Sequence, residues 1–441
     1  MIALGVVCVL AAALMGAPLF AVVLAAAMLG FLASGIDLSI VAIDVYRITD
    51  TPLLVALPLF TFAGYVLAEA GTSRRLVALV QSLFGWLPAG LAIVAFVACA
   101  FFTALTGASG VTIVALGALL LPALKQGGYQ DRFSLGLVTS SGSLGLLIVP
   151  SLPLILYGII AQQLDVGAFE LKDLFVAGLL PAALMIALLS AWTLWVHRNH
   201  LPERTDFAFA RLGTALWDAR WELPLPFFVL GGIYGGFFAV SEAAAVTAVY
   251  VTLVETLAYR EVSFRRLAGL CVEAMVMVGG ILLILGAALA FTNYLVDAEV
   301  PQRLFELTRR HVESPLAFLI LLNLLLLALG AILDVFAALV IMVPLILPVA
   351  VGYGIHPVHL GIVFLANMQI GYFTPPIGMN LFIASYRFGK PVTELYAACW
   401  PFMWVLLLAL LVITYVPGLS LAFVDTAIRG DSLPVSGVFA D

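Results

Sequence analysis

The sequence predicts an all-α, polytopic membrane protein made of two inverted repeats, each with a re-entrant helical hairpin and a broken transmembrane helix. The first supporting observation is composition, since 64% of the 441 residues are apolar and only 10% are charged. A soluble domain has roughly half its residues apolar and about a quarter charged. The second observation is a set of apolar segments long enough to cross a bilayer. The third is a series of glycines and prolines that recurs in both halves of the chain.

The apolar segments predict the spans, because a helix that crosses the hydrocarbon core needs about 20 apolar residues. Regions 1–36 and 222–259 are too long for one simple helix. Each is predicted to form two short spans, separated at Gly16-Ala17-Pro18 in the first region and at Ser241-Glu242 in the second. Six further spans are predicted at 52–70, 133–160, 173–196, 267–292, 359–386 and 392–417.

The basic residues assign the two faces of the membrane, because Lys and Arg concentrate in cytoplasmic loops. The loop with Asp165 and Glu170 is assigned to the outside. On this assignment the apolar region 88–125 begins and ends inside, whereas 315–350 begins and ends outside. Each is therefore predicted to be a hairpin that enters from one face and turns near mid-membrane. The residues assigned to the cytoplasmic face are Arg74, Arg75, Lys125, Arg132, the segment 197–220, Arg260, Arg265, Arg266, Arg387 and Lys390.

The two halves also share landmarks at offsets of 222 to 225 residues. Because the two hairpins enter from opposite faces, the repeats are predicted to be inverted, with 1–220 as the first and 221–441 as the second. The paired landmarks are Gly107 with Gly330, Pro122 with Pro344, Gly128-Tyr129 with Gly352-Tyr353, Gly136 with Gly361, and Pro150 with Pro375.

The segment GYFTPPIGMN, residues 371–380, predicts a break inside a span. Proline has no amide hydrogen, so the break releases carbonyl oxygens before it and exposes amides after it. Carbonyl oxygens together with the Thr374 hydroxyl suit a hard cation such as Na⁺, and a new helix N-terminus from Gly378 to Asn380 suits a carboxylate. The first half repeats the device at Val149-Pro150-Ser151-Leu152-Pro153. The alternative explanation, for each break alone, is an ordinary proline kink.

The hairpin tips are predicted to complete each site. Thr106 and Ser109 place two hydroxyls around Gly107, although such hydroxyls also bond to the preceding helical turn. Asp334 lies at the second tip, where an ionisable group in hydrocarbon costs a few kcal/mol or more. A cation partner, a proton relay or a helix cap would each offset that cost, and the sequence leaves these alternatives open.

Other classes of function fit less well, and the chain is not expected to be an enzyme. The run Gly107 to Gly110 fits the Gly-x-Ser-Gly of rhomboid-type intramembrane proteases, but all five histidines fall in loops or at span ends, away from Ser109. No phosphate-binding loop indicates ATP hydrolysis, and no basic cluster indicates nucleic acid. A channel is the second alternative. Another cation-coupled transporter or antiporter of the ion-transporter superfamily stays open.

In the order and spacing of its motifs, the sequence resembles the large membrane subunit of tripartite ATP-independent periplasmic (TRAP) transporters, the DctM-like family, from about residue 16 to residue 417. The motifs are Gly16-Ala17-Pro18, Pro58-Leu59-Phe60 with Gly64, Thr106-Gly107-Ala108-Ser109, Gly128-Tyr129, Val149-Pro150-Ser151, Tyr157-Gly158, Gly231-Gly232 with Gly235-Gly236 and Ser241-Glu242-Ala243-Ala244, and Thr374-Pro375-Pro376-Ile377-Gly378-Met379-Asn380.

The resemblance implies a multi-pass symporter of the bacterial inner membrane that imports an organic acid by an elevator motion. The hairpins and the broken helices would form a mobile transport domain in the bilayer, and the other spans a fixed scaffold. The resemblance also implies Na⁺ as coupling ion and no other cofactor. Two partners are implied, a periplasmic solute-binding protein (DctP-like) and a small membrane subunit (DctQ-like) on a separate polypeptide.

Site residues follow from the resemblance and from the predicted breaks. One Na⁺ would be held by Ser109 and by the carbonyls of Val149 and Pro150. The residues expected at the second Na⁺ site are Gly330, Asp334, Thr374 and Pro375. The residues expected to contact the substrate are Thr106, Ser151, Gly378 and Asn380.

Overall fold

The structure, a computed structural model, describes residues 2–47, 51–164, 169–198, 208–312 and 314–424, and within these ranges every regular element is a helix. Asp165, which was assigned to an outer loop, lies outside the described residues. By length and composition, six described helices could each cross a membrane, or up to nine if each bent pair is one span. The prediction of an all-α polytopic membrane protein is confirmed.

Five helices precede the first hairpin. The predicted interruption of region 1–36 is confirmed, because the first helix ends at Leu14 and the second begins after Pro18. The fourth and fifth helices meet at a bend of 76°. The bounds are α1 (Ile2–Leu14), α2 (Leu19–Ala33), α3 (Ser39–Arg47), α4 (Ala56–Glu69) and α5 (Thr72–Phe84).

The first predicted hairpin is formed by α6 (Gly90–Thr106) and α7 (Ser109–Gln126). Its tip is Gly107, at φ +69°, a left-handed conformation that glycine adopts without steric cost. The two far ends meet, since a Cβ on Gly127 would lie 3.1 Å from Leu91 Cδ2. The two helices therefore run antiparallel, as a hairpin requires.

The first broken span follows this hairpin directly. It consists of α8 (Asp131–Ser141), a short 3₁₀ turn (Leu144–Leu147) and α9 (Leu152–Gln163), with a bend of 41°. Two helices then follow, α10 (Leu171–Ala177) and α11 (Leu179–Val196).

The second half contains the same devices in the same order. Its hairpin is α17 with α18, whose far ends meet where the Phe318 and Tyr353 rings stack at 4.6 Å. Its broken span is α19 with α20. The helices that follow α11 are α12 (Phe209–Asp218), which precedes residue 221, and then α13 (Pro224–Tyr234), α14 (Val240–Leu253), α15 (Phe264–Asp297), α16 (Val300–His311), α17 (Pro315–Gly330), α18 (Val335–Gly352), α19 (Pro357–Gly371), α20 (Met379–Phe388), α21 (Val392–Tyr415) and α22 (Gly418–Leu421).

The predicted interruption of region 222–259 is wrong in position. The break lies before Val240, around Gly236 at φ +70°, whereas Ser241 and Glu242 belong to the first turn of α14. Glu242 instead caps this helix, because its Oε2 accepts a hydrogen bond from the Ala239 amide at 2.9 Å. Paired glycines leave the chain free to turn, which is why the break falls there.

Three equivalent landmarks of the two halves differ by 226 residues in the structure, outside the predicted range of 222 to 225. The pairing of Gly128-Tyr129 with Gly352-Tyr353 is therefore two residues short. Ala108 and Asp334 each precede the second helix of their hairpin. Gly128 and Gly354 are left-handed glycines after those helices. Gln130 and His356 each precede a broken span.

The two hairpins enter from opposite ends of the molecule. The first broken span starts beside the base of the first hairpin, and its second helix reaches the start of α19, where the Tyr157 hydroxyl donates to the Pro357 carbonyl at 2.6 Å. The second broken span starts there and returns along α7, so that Gly117 packs against the Phe388 ring. The division at residues 220 and 221 stays a prediction.

Candidate binding site between the hairpin tips and the broken helices

The first junction joins the tip of the α6–α7 hairpin to the break between α8 and α9. A Cβ on Gly107 would lie 2.6 Å from Leu152 Cδ1, and one on Gly142 would lie 3.3 Å from the Ser109 carbonyl oxygen. The Val149–Pro150 peptide bond at this break is cis. The structure thus brings together the hairpin tip and the break that were predicted to form the first cation site.

The second junction joins the α17–α18 hairpin to the break between α19 and α20. Gly330 and Gly371 meet backbone to backbone, since a Cβ on Gly371 would lie 2.6 Å from Gly330 Cα. The Gly378 amide donates to the Ala331 carbonyl at 2.9 Å. The Tyr372 hydroxyl accepts from the Val335 amide at 3.0 Å. Gly330 and the break at Thr374 and Pro375 are therefore adjacent, as the second cation site requires.

Asp334 caps α18. Its Oδ1 accepts hydrogen bonds from the Phe336 amide at 2.8 Å and from the Ala337 amide at 3.2 Å. Of the three roles that the sequence left open, the geometry supports capping directly. Both bonds go to one oxygen, so the other oxygen can still take part in a cation site, and that role stays a prediction.

Three of the predicted hydroxyls, those of Thr106, Ser151 and Thr374, donate to carbonyls nearby in the sequence. Thr106 donates to the Phe102 carbonyl at 2.9 Å, and Thr374 donates to the Ile370 carbonyl at 2.8 Å, which is the back-bonding expected of hydroxyls in helices. Ser151 donates to the Leu146 carbonyl at 2.6 Å. A hydroxyl that donates in this way keeps lone pairs that can accept a cation. These bonds fix the orientation of each oxygen.

Asn380 links the two halves. Its Oδ1 accepts from the Ser109 hydroxyl at 2.9 Å, and both side chains are buried. The Asn380 amide donates to the Tyr372 carbonyl at 2.9 Å. Since the Gly378 amide is also bonded, two of the three amides from Gly378 to Asn380 have partners within the protein. As substrate ligands, both residues stay predictions.

A cavity of about 540 Å³ is lined by residues of these junctions and by residues of α4 and α15. One wall consists of the first hairpin tip, the start of α18 (Val335 and Phe336), Tyr372 and Met379. The opposite wall consists of residues of α4 and α15. Ser109 lines the cavity, whereas the four residues predicted to contact substrate lie behind its described lining: Thr106, Ser151, Gly378 and Asn380.

The N-terminus of α7 is a feature of this cavity that the sequence analysis missed. The residue at the cap position is Ala108, and α7 has no side-chain cap. The amides of the first turn, those of Ser109, Gly110 and Val111, have no acceptor within their helix, and no described residue accepts from them. All three residues line the cavity. The positive end of this helix therefore presents free donors to the cavity.

A charged cluster lies on the α4 and α15 wall, and it was also missed. Arg266 donates to Glu69 at 2.9 and 3.0 Å and to Glu273 at 2.8 Å. Both carboxylates line the cavity. No sequence signal relates Glu69 to Arg266, because 197 residues separate them.

Hairpins from both ends, paired broken helices and a central cavity define the class of protein, a secondary membrane transporter. The comparison with families is more specific. The model of the family "Tripartite ATP-independent periplasmic transporter, DctM component" matches residues 6–419. This chain belongs to that family, which confirms the resemblance found in the sequence.

Related proteins agree with the family assignment. The chain is 33% identical over 402 residues to the C4-dicarboxylate TRAP transporter large permease protein DctM of Rhodobacter capsulatus, which covers 89% of this chain and 91% of that protein. It is 34% identical over 382 residues to the protein of the same name in Pseudomonas aeruginosa, covering 86% and 88%. It is 33% identical over 393 residues to the isethionate TRAP transporter permease protein DctMQ of Oleidesulfovibrio alaskensis. That match covers 89% of this chain but spans only 61% of the relative's length.

A solved structure has a similar fold. The crystal structure of the Alcanivorax borkumensis YdaH transporter matches with a TM-score of 0.57 at 16% identity, covering 83% of this chain and 85% of the other. At this identity the likeness concerns the fold alone. The chain is thus the large permease component of a TRAP transporter, and its relatives are transporter permeases rather than enzymes.

Proposed function

We propose that this subunit imports an organic acid by Na⁺ symport across the bacterial inner membrane. A periplasmic solute-binding protein delivers the acid, and a small DctQ-like membrane subunit completes the complex. The observation that carries the proposal is the cavity whose wall includes the uncapped N-terminus of α7. The length of the DctMQ relative beyond the match supports a small membrane subunit as a partner.

The carboxylate of the substrate binds at the start of α7. The amides of Ser109, Gly110 and Val111 point from a helix N-terminus, which is a ready-made site for an anion. Charge-assisted hydrogen bonds from amides to a carboxylate are stronger than neutral ones. Since the protein uses none of these three donors internally among the described residues, a bound carboxylate is their best partner.

Two Na⁺ ions bind behind the cavity, one at each junction. The first junction offers the Ser109 hydroxyl with the carbonyls of Val149 and Pro150. The second offers oxygens of Gly330, Asp334 and Thr374, together with the Pro375 carbonyl. Oxygen donors released by broken helices are the ligands that coupling ions take in secondary transporters.

Ser109 explains why ion and substrate would bind together. Its hydroxyl belongs to the first junction, where it bonds Asn380, while its amide belongs to the substrate cavity. A cation that orders this residue also orders the amides that bind the acid. The binding of either ligand then raises the affinity for the other, because coupling between two sites is reciprocal.

Transport moves the substrate with the hairpins. The proposed transport domain comprises hairpins 88–125 and 315–350 with broken helices 133–160 and 359–386, and the proposed scaffold includes α4 and α15, which line the other side of the cavity. We infer that the first group slides as one transport domain past the scaffold. The bonds of Asn380 and Gly378 across the junctions hold that domain together.

Uptake into proteoliposomes tests the proposal. The complex is reconstituted with its binding protein, and the uptake of labelled organic acids is measured with and without an inward Na⁺ gradient. Uptake is expected to require both Na⁺ and the binding protein, and Thr374→Ala is expected to raise the Na⁺ concentration needed for half-maximal rate. A proton gradient that drives the same uptake without Na⁺ would instead favour another cation-coupled mechanism.

A further inference from the structure

A groove of about 460 Å³ lies between α5 and α12. The two helices pack through apolar side chains, since Leu79 of α5 forms a cluster with Ala215 and Ala219 of α12. Among the residues that the structure describes, the groove shares no lining residue with the cavity between the hairpin tips and α15. Small and polar side chains make up most of its lining: Ala78, Gln81, Ser82, Arg211, Thr214 and Asp218.

The groove carries two opposite charges that lack partners. Arg211 and Asp218 both line it, and among the described residues neither side chain forms an ion pair, with the other or with a third group. Their spacing of seven residues places them on one face of α12, about 10 Å apart along its axis. Each charge is therefore available to a ligand that lies along the groove.

The positions of these charges within α12 are the reverse of what a helix favours. The helix is Phe209–Asp218, so Arg211 lies in its first turn and Asp218 is its last residue. The N-terminus of a helix is its positive end and the C-terminus its negative end, and a like charge at either end is unfavourable. An anion beside Arg211 and a cation beside Asp218 would offset both costs. Departures of this kind from local preference are expected at functional sites.

Tryptophans indicate that the groove lies at the level of the membrane surface. Trp86 lines it, and Trp217 and Trp221 are exposed at the C-terminal end of α12. Tryptophan is enriched where the bilayer meets water. The Arg220 guanidinium lies 4.5 Å from the centroid of the Trp217 ring. A helix with exposed apolar and basic side chains, between two apolar helices, is typical of one that lies in the membrane interface.

We propose that this groove binds the headgroup of a zwitterionic phospholipid that carries a primary ammonium group. Its phosphate pairs with Arg211 and its ammonium with Asp218, while its acyl chains extend into the bilayer beside Trp217. A headgroup with negative charge alone would pair with Arg211 but would be repelled by Asp218. A lipid bound there braces α5, the helix that leads into the first hairpin. The proposal does not depend on the identity of the substrate or of the coupling ion.

The test is the retention of added lipid by the complete complex, measured by native mass spectrometry at the tightest lipid site. The probes are phosphatidylethanolamine, phosphatidylglycerol and phosphatidylcholine with identical acyl chains. Of the three, only phosphatidylethanolamine offers a phosphate together with a cation that can donate hydrogen bonds. It is expected to bind about tenfold more tightly than the other two, the effect of one hydrogen bond to a charged group. Equal retention of all three lipids would overturn the proposal, and a segment of the small subunit that fills the groove would give this result.

Two variants distinguish the two charges. Arg211→Gln removes the partner of the phosphate and is expected to weaken the retention of phosphatidylethanolamine about tenfold. Asp218→Asn removes the partner of the ammonium and the charge that repels phosphatidylglycerol, so the two lipids are expected to bind about equally. The gain in phosphatidylglycerol is a result that a misfolded protein would not show. Arg265→Gln changes an exposed arginine outside the groove lining and is expected to leave retention unchanged. Unchanged retention in both groove variants would place the lipid elsewhere and overturn the proposal.

Glycerophosphoethanolamine, the same headgroup without acyl chains, separates a lipid site from a site for a soluble zwitterion. At a concentration equal to that of the lipid, it is expected to leave the bound phosphatidylethanolamine in place, because it lacks the chains that the bilayer covers. Displacement of the lipid under these conditions would make a soluble molecule the ligand of the groove and would overturn the assignment to a phospholipid.

Discussion

Asp334 shows at the scale of a single residue how a structural and a functional role can be separated. Its side chain caps α18 through two amide bonds. Loss of a cap costs about 1 kcal/mol, whereas a cation site needs the negative charge as well. Asparagine retains the capping oxygen and lacks the charge.

We therefore predict different results for two substitutions. Asp334→Asn should leave the thermal unfolding of the purified protein unchanged, and Asp334→Ala should lower stability by about 1 kcal/mol. Both should raise the Na⁺ concentration for half-maximal uptake, because both remove the charge from the second junction. Unchanged Na⁺ dependence in Asp334→Asn would restrict this residue to capping.

Single residues also show what could be read from the sequence. Pro150 and Pro375 predict the breaks, because proline lacks an amide hydrogen in a medium that cannot replace the lost bond. The free or bonded state of each amide could not be read, because it depends on distant partners. The Gly378 amide bonds to Ala331 and that of Asn380 to Tyr372, and no local pattern specifies these pairs.

At the scale of the element, the start of α7 is the feature on which the proposed site depends. The equivalent helix of the second half, α18, has Asp334 at its cap position, while α7 has Ala108 there. At this position the first-turn amides have a side-chain acceptor in the second half and none in the first half. This asymmetry is the reason that we propose the first hairpin, rather than the second, for the anion.

A cap added to α7 should close its anion site. In Ala108→Asp, the new carboxylate would accept from the amides that we assign to the substrate, as Asp334 does in α18. The variant should be as stable as the natural protein or more stable by about 1 kcal/mol. Its uptake rate at low substrate concentration should fall at least about tenfold, since a difference of 1.4 kcal/mol is a factor of ten. Full uptake in a stable Ala108→Asp protein would place the carboxylate elsewhere.

The helices differ in how well the sequence predicted them. The long apolar spans and both hairpins were predicted, because uninterrupted apolar runs have few alternatives in a membrane. The helices α5, α12 and α16 were not predicted, because charged residues interrupt their apolar residues. Arg75 on α5 shows what decides their placement, as it pairs with Glu222, Glu255 and Glu261 from distant segments. Such pairing fixes the bend between α4 and α5 and has no signal in the local sequence.

At the scale of the whole molecule, the two junctions together provide an explanation for the proposed coupling of Na⁺ to the acid. Each half contributes one hairpin and one broken helix, and Ser109 with Asn380 joins the halves behind the cavity. In the proposed mechanism, the acid binds in front of two cation sites that belong to the same moving domain. An empty or half-filled domain would lack the cations that order the α7 amides, so the ion and the acid would cross together.

The measurement that tests this account most directly is the accumulation of the acid at steady state against the size of the Na⁺ gradient. It uses the reconstituted complex with the membrane potential held at zero, and plots the logarithm of the acid ratio against the logarithm of the Na⁺ ratio. Two cation sites per transport domain predict a slope of about two, because each transported acid is then linked to two Na⁺ ions. A slope of about one would mean that only one of the two junctions binds a transported Na⁺. Accumulation that is independent of the Na⁺ gradient would contradict Na⁺ symport itself.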